Sequence, residues 1–227
     1  MVRNTRSRKD EDKAKRREDI LDAAEQVIFE REIEKTSMDH IAKAAQLSRA
    51  LLYVYFEDKD DIYRAIMTRA SADLYRRFVT AYELDDNGLE RSHAIGRAYY
   101  QFYLEKPDYF NVLTKGSTFL ETLPENPSEK ELKTLEVLMS QHNRCLEVMV
   151  QTLTEGVEDG SICKVSVADP VKAAYFLRGM LHGVLMATRS DKKFIAESCD
   201  FATEELIEYC FDNARMFLAA DHNHGNR

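Results

Sequence analysis

Two short amphipathic segments stand almost back to back in the stretch SMDHIAKAAQLSRALLYVYFEDKDDIY, residues 37 to 63. The first carries Met38, Ile41, Ala42 and Ala45 at helical spacing. The second, about 49 to 55, ends in the dense aromatic patch Tyr53, Tyr55 and Phe56, and only Gln46, Leu47 and Ser48 separate the two. Helices of barely two turns are marginal in water, so each must bury its apolar back against something else. Thr36 or Ser37 is placed to cap the first, with Asp39, three residues after Thr36, completing a capping box, and Ser48 is placed to cap the second. A third helix over about 11–31, with Ile20, Ala24, Val27 and Ile28 on one face, can cover both backs. Ala42, Ala44 and Ala45 are small enough for the short helices to cross closely.

Such a unit can seat its second short helix in the major groove of duplex DNA, with N-terminal residues at base edges and caps and hydroxyls at phosphates. Arg49 is then the natural base reader, because a guanidinium can bond guanine O6 and N7 together. The alternative is a three-helix packing unit without a ligand. It would place apolar residues where this chain has Arg49 and Tyr53.

The rest of the 227-residue chain is read as helical too. Four Pro, eight Gly and no sustained apolar–polar alternation leave no half-buried strand. Helices are expected over about 59–83, 89–106 and 107–119, then one of about thirty residues ending near Asp159, and finally over 170–189 and 193–219. The net charge of −8 argues against a polyanionic partner until its distribution is considered. Residues 1–17 hold eight basic against three acidic groups, a local charge of +5 on an otherwise acidic chain, which suits phosphate contacts at one end. The four Cys form no CxxC pair and read as reduced thiols. No signal peptide or membrane span is recognisable: the most apolar stretch, VKAAYFLRGMLHGVLMAT, is interrupted by Arg178 and His182. A cytoplasmic protein is expected.

The stretch 37–63 resembles the DNA-binding motif of the TetR family of one-component repressors, whose pattern T-x-x-x-I-A-x-x-A-G-V-S-x-x-x-L-Y-x-Y-F-x-x-K-x-x-L it follows over about residues 12–66. The resemblance implies an all-α chain of about nine helices. Residues 1–57 would be the helix-turn-helix domain, 58–220 a ligand-binding and dimerisation domain, and 221–227 a disordered tail. It also implies that Ser37, Tyr53, Tyr55 and Lys59 sit at phosphates, Arg49 at bases, and Leu52 and Phe56 in the core; Ser48, Ala50 and Leu51 complete the candidate DNA-facing set. Three residues depart from the pattern. Gln46 replaces the turn glycine, so a left-handed backbone there would cost on the order of 1 kcal/mol. Ala50 replaces a common glycine. Leu51 replaces a small polar residue and offers a thymine methyl an apolar contact instead.

In the family the central helices surround an effector cavity. Here Tyr99, Phe102, Tyr103, Phe110, Met139, His142, Met149, Phe176 and Met180 would line it. Met and Tyr suit a lipophilic or aromatic effector, and no cluster of Arg or Lys stands among them to hold a dianion. The last two helices form the family's dimer interface, which assigns it here to Gly179, His182, Gly183, Met186 and Phe211, the two glycines allowing close approach.

Two metal-like spacings have weaker claims. Glu90 and His93 spell half of a di-iron motif whose only near match, Asp221 with His224, lies in the tail. His142 and Cys145, one turn apart, lack further ligands. No phosphate loop or nucleophile motif occurs, so neither enzyme activity nor a cofactor is expected. The expected function is a ligand-responsive, homodimeric repressor of a palindromic DNA operator, released by a small lipophilic or aromatic effector. The alternatives are a helical metal- or ligand-binding enzyme or carrier without a DNA role, and a helical adaptor that binds protein.

Overall fold

A computed structural model describes residues 3–84, 87–121 and 125–220, with the side chains of 3–9, 116–121, 138, 141, 142, 192, 194 and 196 excepted. The 221–227 tail, including Asp221 and His224, lies outside the described residues. These form ten helices: α1 (Arg3–Arg31), α2 (Met38–Ala44), α3 (Arg49–Leu52), α4 (Lys59–Glu83), α5 (Gly88–Glu105), α6 (Pro107–Glu121), α7 (Glu129–Glu158), α8 (Pro170–Ser190), α9 (Lys192–Ser198) and α10 (Thr203–Leu218). Among the described residues the only extended pairing is an isolated antiparallel bridge between Ile162 and Ala219.

Two boundaries differ from the sequence reading. The basic arm is not separate from the first helix, because α1 runs back to Arg3. The expected last helix, 193–219, is two helices, which raises the count from nine to ten. Cys199 and Ala202 are extended between them. The Ala202 N–H donates to the Glu205 carboxylate at 3.1 Å, and Glu204 and Glu205 favour a helix N-terminus there. Pro107 and Pro170 open helices as expected, and Asp169 caps α8 by accepting from the N–H groups of Val171 and Lys172, each at 3.1 Å.

The chain divides into two compact units, Met1–Ser71 with Asp108–Leu138, and Ala72–Pro107 with Met139–Arg227. In the first, Ile20, Leu21, Ala24 and Ile28 of α1 meet Met38, Ile41 and Ala42 of α2, Leu52 of α3, Phe56, and Ile62, Ile66, Met67 and Ala70 of α4. This unit runs past residue 57 because the apolar face of α4 closes the core that α1 and the two short helices leave open. The Arg17 guanidinium lies 4.6 Å from the centroid of the buried Phe56 ring. Half-buried Arg69 of α4 pairs with Glu18, Asp22 and Glu25 of α1, and the Tyr109 hydroxyl donates to Glu25 at 3.0 Å.

In the second unit, Leu153, Ile162, Val167, Ala173, Ala174 and Leu218 form the core. A Cβ added at Gly88 would fall 2.2 Å from the Gly156 Cα, so α5 and α7 touch backbone to backbone there. The Gly88 N–H donates to Asp159 at 2.8 Å, and Asn87 caps α5. Glu90 is paired with Arg215 of α10, and the His93 ring accepts from Arg97 at 3.2 Å. Their di-iron spacing is thus occupied by α5–α10 packing. Among the described residues no three His, Cys, Asp or Glu side chains are placed to share a metal ion, and no helix is long and apolar enough to cross a membrane.

Candidate nucleic-acid interface

Local chemistry fixes the two short helices. The Ser37 hydroxyl accepts from the His40 N–H at 3.3 Å, and the Ser37 N–H donates to His40 Nδ1 at 3.3 Å. The capping box therefore closes on His40, counted from Ser37, and not on Asp39; Thr36 is buried and donates to the Glu32 carbonyl at 2.8 Å. α2 ends with Gln46 at φ 55, the left-handed turn expected where the family has glycine. The Leu47 N–H reaches back to the Ala42 carbonyl at 2.9 Å and that of Gln46 to Lys43 at 3.2 Å, which satisfies the last carbonyls of α2. Ser48 then caps α3, accepting from the Leu51 N–H at 3.2 Å. Regular helix stops at Leu52, and a turn carries Tyr53, Val54 and Tyr55 onward.

This short element turns one face inward and the other to solvent. Leu52 and Phe56 are buried as expected, while Ser48, Arg49, Ala50, Leu51 and Tyr53 are exposed and Tyr55 and Ser37 half-buried. The Ser37 and Ser48 hydroxyls each accept a backbone bond; a hydroxyl that accepts still has a proton to donate. Arg49 lies across the face: Nη1 donates to Asp39 at 3.2 Å and Nη2 to the Tyr53 hydroxyl at 3.3 Å, with its guanidinium 5.6 Å from the Tyr53 ring centroid. These partners, Tyr53 first and Asp39 next, raise its pKa further. Lys59 is half-buried and donates to the Ile33 carbonyl at 2.7 Å, so one of its three protons is held inside the unit. An open groove is lined by Val54 and Tyr55 together with Asp12, Lys13, Lys15, Arg16 and Asp19 of α1. Sequence reading found the basic arm but not its placement beside Tyr55, nor the Asp39 partner of Arg49. The pairing of Asp39 with a residue on the next helix has no local signature.

In the second unit the residues assigned to a cavity separate. Tyr99, Tyr103, Met149 and Met180 are half-buried there; Phe102 is fully buried core. Phe110 is buried and belongs to the first unit. Met139 and Phe176 are exposed, Phe176 at 52%, and the His142 side chain lies outside the described ones. Phe176 thus corrects from cavity to open face: it stands on the solvent side of α8 with Val171, Tyr175, Gly179 and Gly183. A Cβ at Gly179 or Gly183 would meet nothing within 4 Å. Met186 is half-buried.

Two interface assignments reverse. Phe211 is buried, packed on Gly96, on the His93 and Tyr100 rings and under the Arg97 guanidinium, so the open side of α10 carries Tyr209 and Met216 instead. His182 turns inward, its Nδ1 2.8 Å from the Tyr99 hydroxyl. Burial, and then Arg178, hold the His182 pKa below its usual value, and burial raises that of Tyr99. Burial pushes the Cys145 thiol up to about 11.

Residues 20–66 match the family described as bacterial regulatory proteins, tetR family, and residues 92–212 match the tetracyclin repressor-like C-terminal domain. The HTH-type transcriptional repressor BepR of Brucella suis is 46% identical over 57 residues, 25% of this chain and 27% of that protein. The chain spans between 27% and 50% of the length of the curated relatives it matches. The TetR family transcriptional regulator PfmR of Thermus thermophilus superposes with a TM-score of 0.60 at 25% identity, over 87% of this chain and 97% of that one. FadR of Bacillus subtilis in complex with stearoyl-CoA superposes at 0.65 and 18% identity, over 90% and 98%. An exposed, serine-capped α3 on an apolar core that α4 closes, joined in one chain to a helical C-terminal domain that matches its own profile, makes this protein a member of the TetR family of bacterial regulatory proteins.

Proposed function

We propose that the protein is a cytoplasmic, homodimeric repressor that reads a palindromic operator through α3 and is released by a small lipophilic or aromatic effector. The observation that carries the DNA reading is the exposed face of Ser48, Arg49, Ala50, Leu51 and Tyr53 directly above buried Leu52 and Phe56. No packing role explains an arginine and a tyrosine there. Arg49 reads bases, while Ser37, Tyr53, Tyr55, Lys59 and the flanking Lys13, Lys15 and Arg16 of α1 hold phosphates. The name of the Brucella relative, a transcriptional repressor, supports repression.

The dimer forms through the open faces of α8 and α10, around Gly179, Gly183, Phe176, Tyr209 and Met216, which supplies the two-fold symmetry a palindrome needs. The recognition elements then stand about one DNA turn, roughly 34 Å, apart. The effector binds within the second unit among Tyr99, Tyr103, Met149 and Met180, with the Tyr99–His182 pair to orient a polar group. FadR, with its bound stearoyl-CoA, supports a guest with a long apolar portion. An effector that prefers another separation of the recognition elements lowers operator affinity by linkage, typically about 1 to 3 kcal/mol.

Footprinting on the DNA flanking the protein's own gene tests the first part. Two symmetric protected half-sites one turn apart are expected; a footprint without symmetry, or none at low salt, would contradict it. A melting screen tests the second. Long-chain acyl thioesters and aromatic lipophiles should raise the melting temperature and weaken the footprint. A rise with sugar phosphates or metal ions alone would overturn the effector class and leave the DNA reading intact.

A further inference from the structure

Arg49 is the side chain on which base reading rests, and its guanidinium is folded back across the exposed face. Nη1 is bonded to Asp39 of α2 at 3.2 Å and Nη2 to the Tyr53 hydroxyl at 3.3 Å, so both terminal nitrogens are engaged by residues of two different elements. All three side chains are exposed, the Arg49–Asp39 pair at 58% and 64%. An exposed ion pair of this kind is weak, so it holds a conformation without preventing exchange. Asp39 is not used in the α2 cap, where His40 takes the position it was expected to fill.

We propose that Asp39 is the specificity-determining positioning residue of the interface: it keeps Arg49 from pairing with phosphates at random sequence and yields it only where guanine accepts both nitrogens. The inference rests on the DNA reading above. Phosphate oxygens are available at every step of a duplex and attract a guanidinium whatever the sequence. A carboxylate beside Arg49 neutralises that attraction and is itself repelled by the backbone. Guanine O6 and N7 replace both of the bonds Arg49 gives up, in the planar geometry of the guanidinium fork; a phosphate can accept the same fork, but its negative charge is set against the Asp39 carboxylate, which a neutral guanine edge does not repel. The latch therefore weakens non-operator binding more than operator binding.

The test is a cycle of Asp39→Asn, Arg49→Ala and the double variant in the full-length protein. Each is titrated against the footprinted operator and a scrambled duplex of equal length at several salt concentrations. Asp39→Asn should tighten scrambled binding by up to about fivefold, steepen its salt slope by about one unit, and change operator binding less, so the operator-to-scrambled ratio falls. In the Arg49→Ala background the same change should leave the ratio unmoved. A ratio unchanged by Asp39→Asn alone, or a fall of equal size without Arg49, overturns the latch, the second because Asp39 would then act by its own charge. A wild-type protein with no preference between the duplexes overturns the latch together with the DNA reading. A wild-type preference that Asp39→Asn leaves intact overturns the latch only.

Discussion

Polar side chains are placed differently around α3 and around Tyr99, although the first unit also buries Thr36, Arg64 and Ser71. Around α2 and α3 the core is apolar and the groups with chemistry, Ser48, Arg49 and Tyr53, stand outside on two short elements capped by their own serines. In the second unit polar groups turn in: the Tyr99 hydroxyl meets His182, and the Cys145 thiol is raised by burial. An apolar cluster beneath an exposed polar face suits a rigid ligand such as duplex DNA, whose acceptors come at set spacing. Buried polar groups suit a guest that must be desolvated, and they make that unit sensitive to pH.

If the first unit owes its surface to the apolar cluster beneath it, truncating that cluster should be the most damaging change. Phe56→Ala removes a fully buried ring and should cost about 3 to 5 kcal/mol in urea denaturation. A loss under about 1 kcal/mol would mean that α3 is held by something other than the core beneath it.

Glycine separates the contacts inside the second unit from those on its outside. Gly183→Glu adds a charge to an open face, so the protomer's own stability should move by no more than about 0.5 kcal/mol while the copies separate in sedimentation. An intact dimer would place the interface elsewhere.

The buried histidine sharpens the pH contrast. Because the folded protein holds His182 below its usual pKa, the unfolded chain takes up a proton at a higher pH than the folded one does. The stability associated with the neutral ring is fully present above about pH 6.5 and is lost as pH falls through the lower folded value. Melting temperature should thus drop on acidification from pH 7 to 5, and His182→Gln should flatten part of the drop. His93, lowered in the same sense by burial and then Arg97, accounts for a further part. An unchanged profile in His182→Gln would place the pH sensitivity outside the Tyr99 pair.

The smallest effect belongs to the turn. Gln46→Gly relieves a left-handed backbone at a cost in chain entropy, for a net gain under about 1 kcal/mol. A loss would show the Gln46 side chain to be stabilising.

What the sequence revealed divides along the same line. The short helices and their break at 46–48 follow from caps and spacing within a few residues, and so could be read directly, while the left-handed Gln46 and the buried Leu52 and Phe56 come from the resemblance to the TetR pattern. Even there the capping box closes one position later than the spacing from Thr36 to Asp39 predicts, since Ser37 is the cap and His40 its partner. Further on, α8 carries apolar residues on both faces, with Leu181 and Leu185 inside and Tyr175 and Phe176 outside, so periodicity does not say which face meets solvent. That ambiguity accounts for the expectation of Phe176 in the cavity and His182 at the interface, whereas Phe211 lies on α10 and turns inward onto Gly96 and Arg97. The backbone contact between Gly88 and Gly156 joins distant segments and leaves no local trace. The break between α9 and α10 contains neither Pro nor Gly to announce it.

The central claim is that α3 reads bases through Arg49, and selection of binding sites from random duplexes with wild-type and Arg49→Ala protein tests it most directly. The wild type should recover a two-fold symmetric site. Arg49→Ala should recover one with preference lost at a single base pair in each half and affinity lower by about 1 to 3 kcal/mol. The same selected sequence with undiminished preference at every position would contradict the claim.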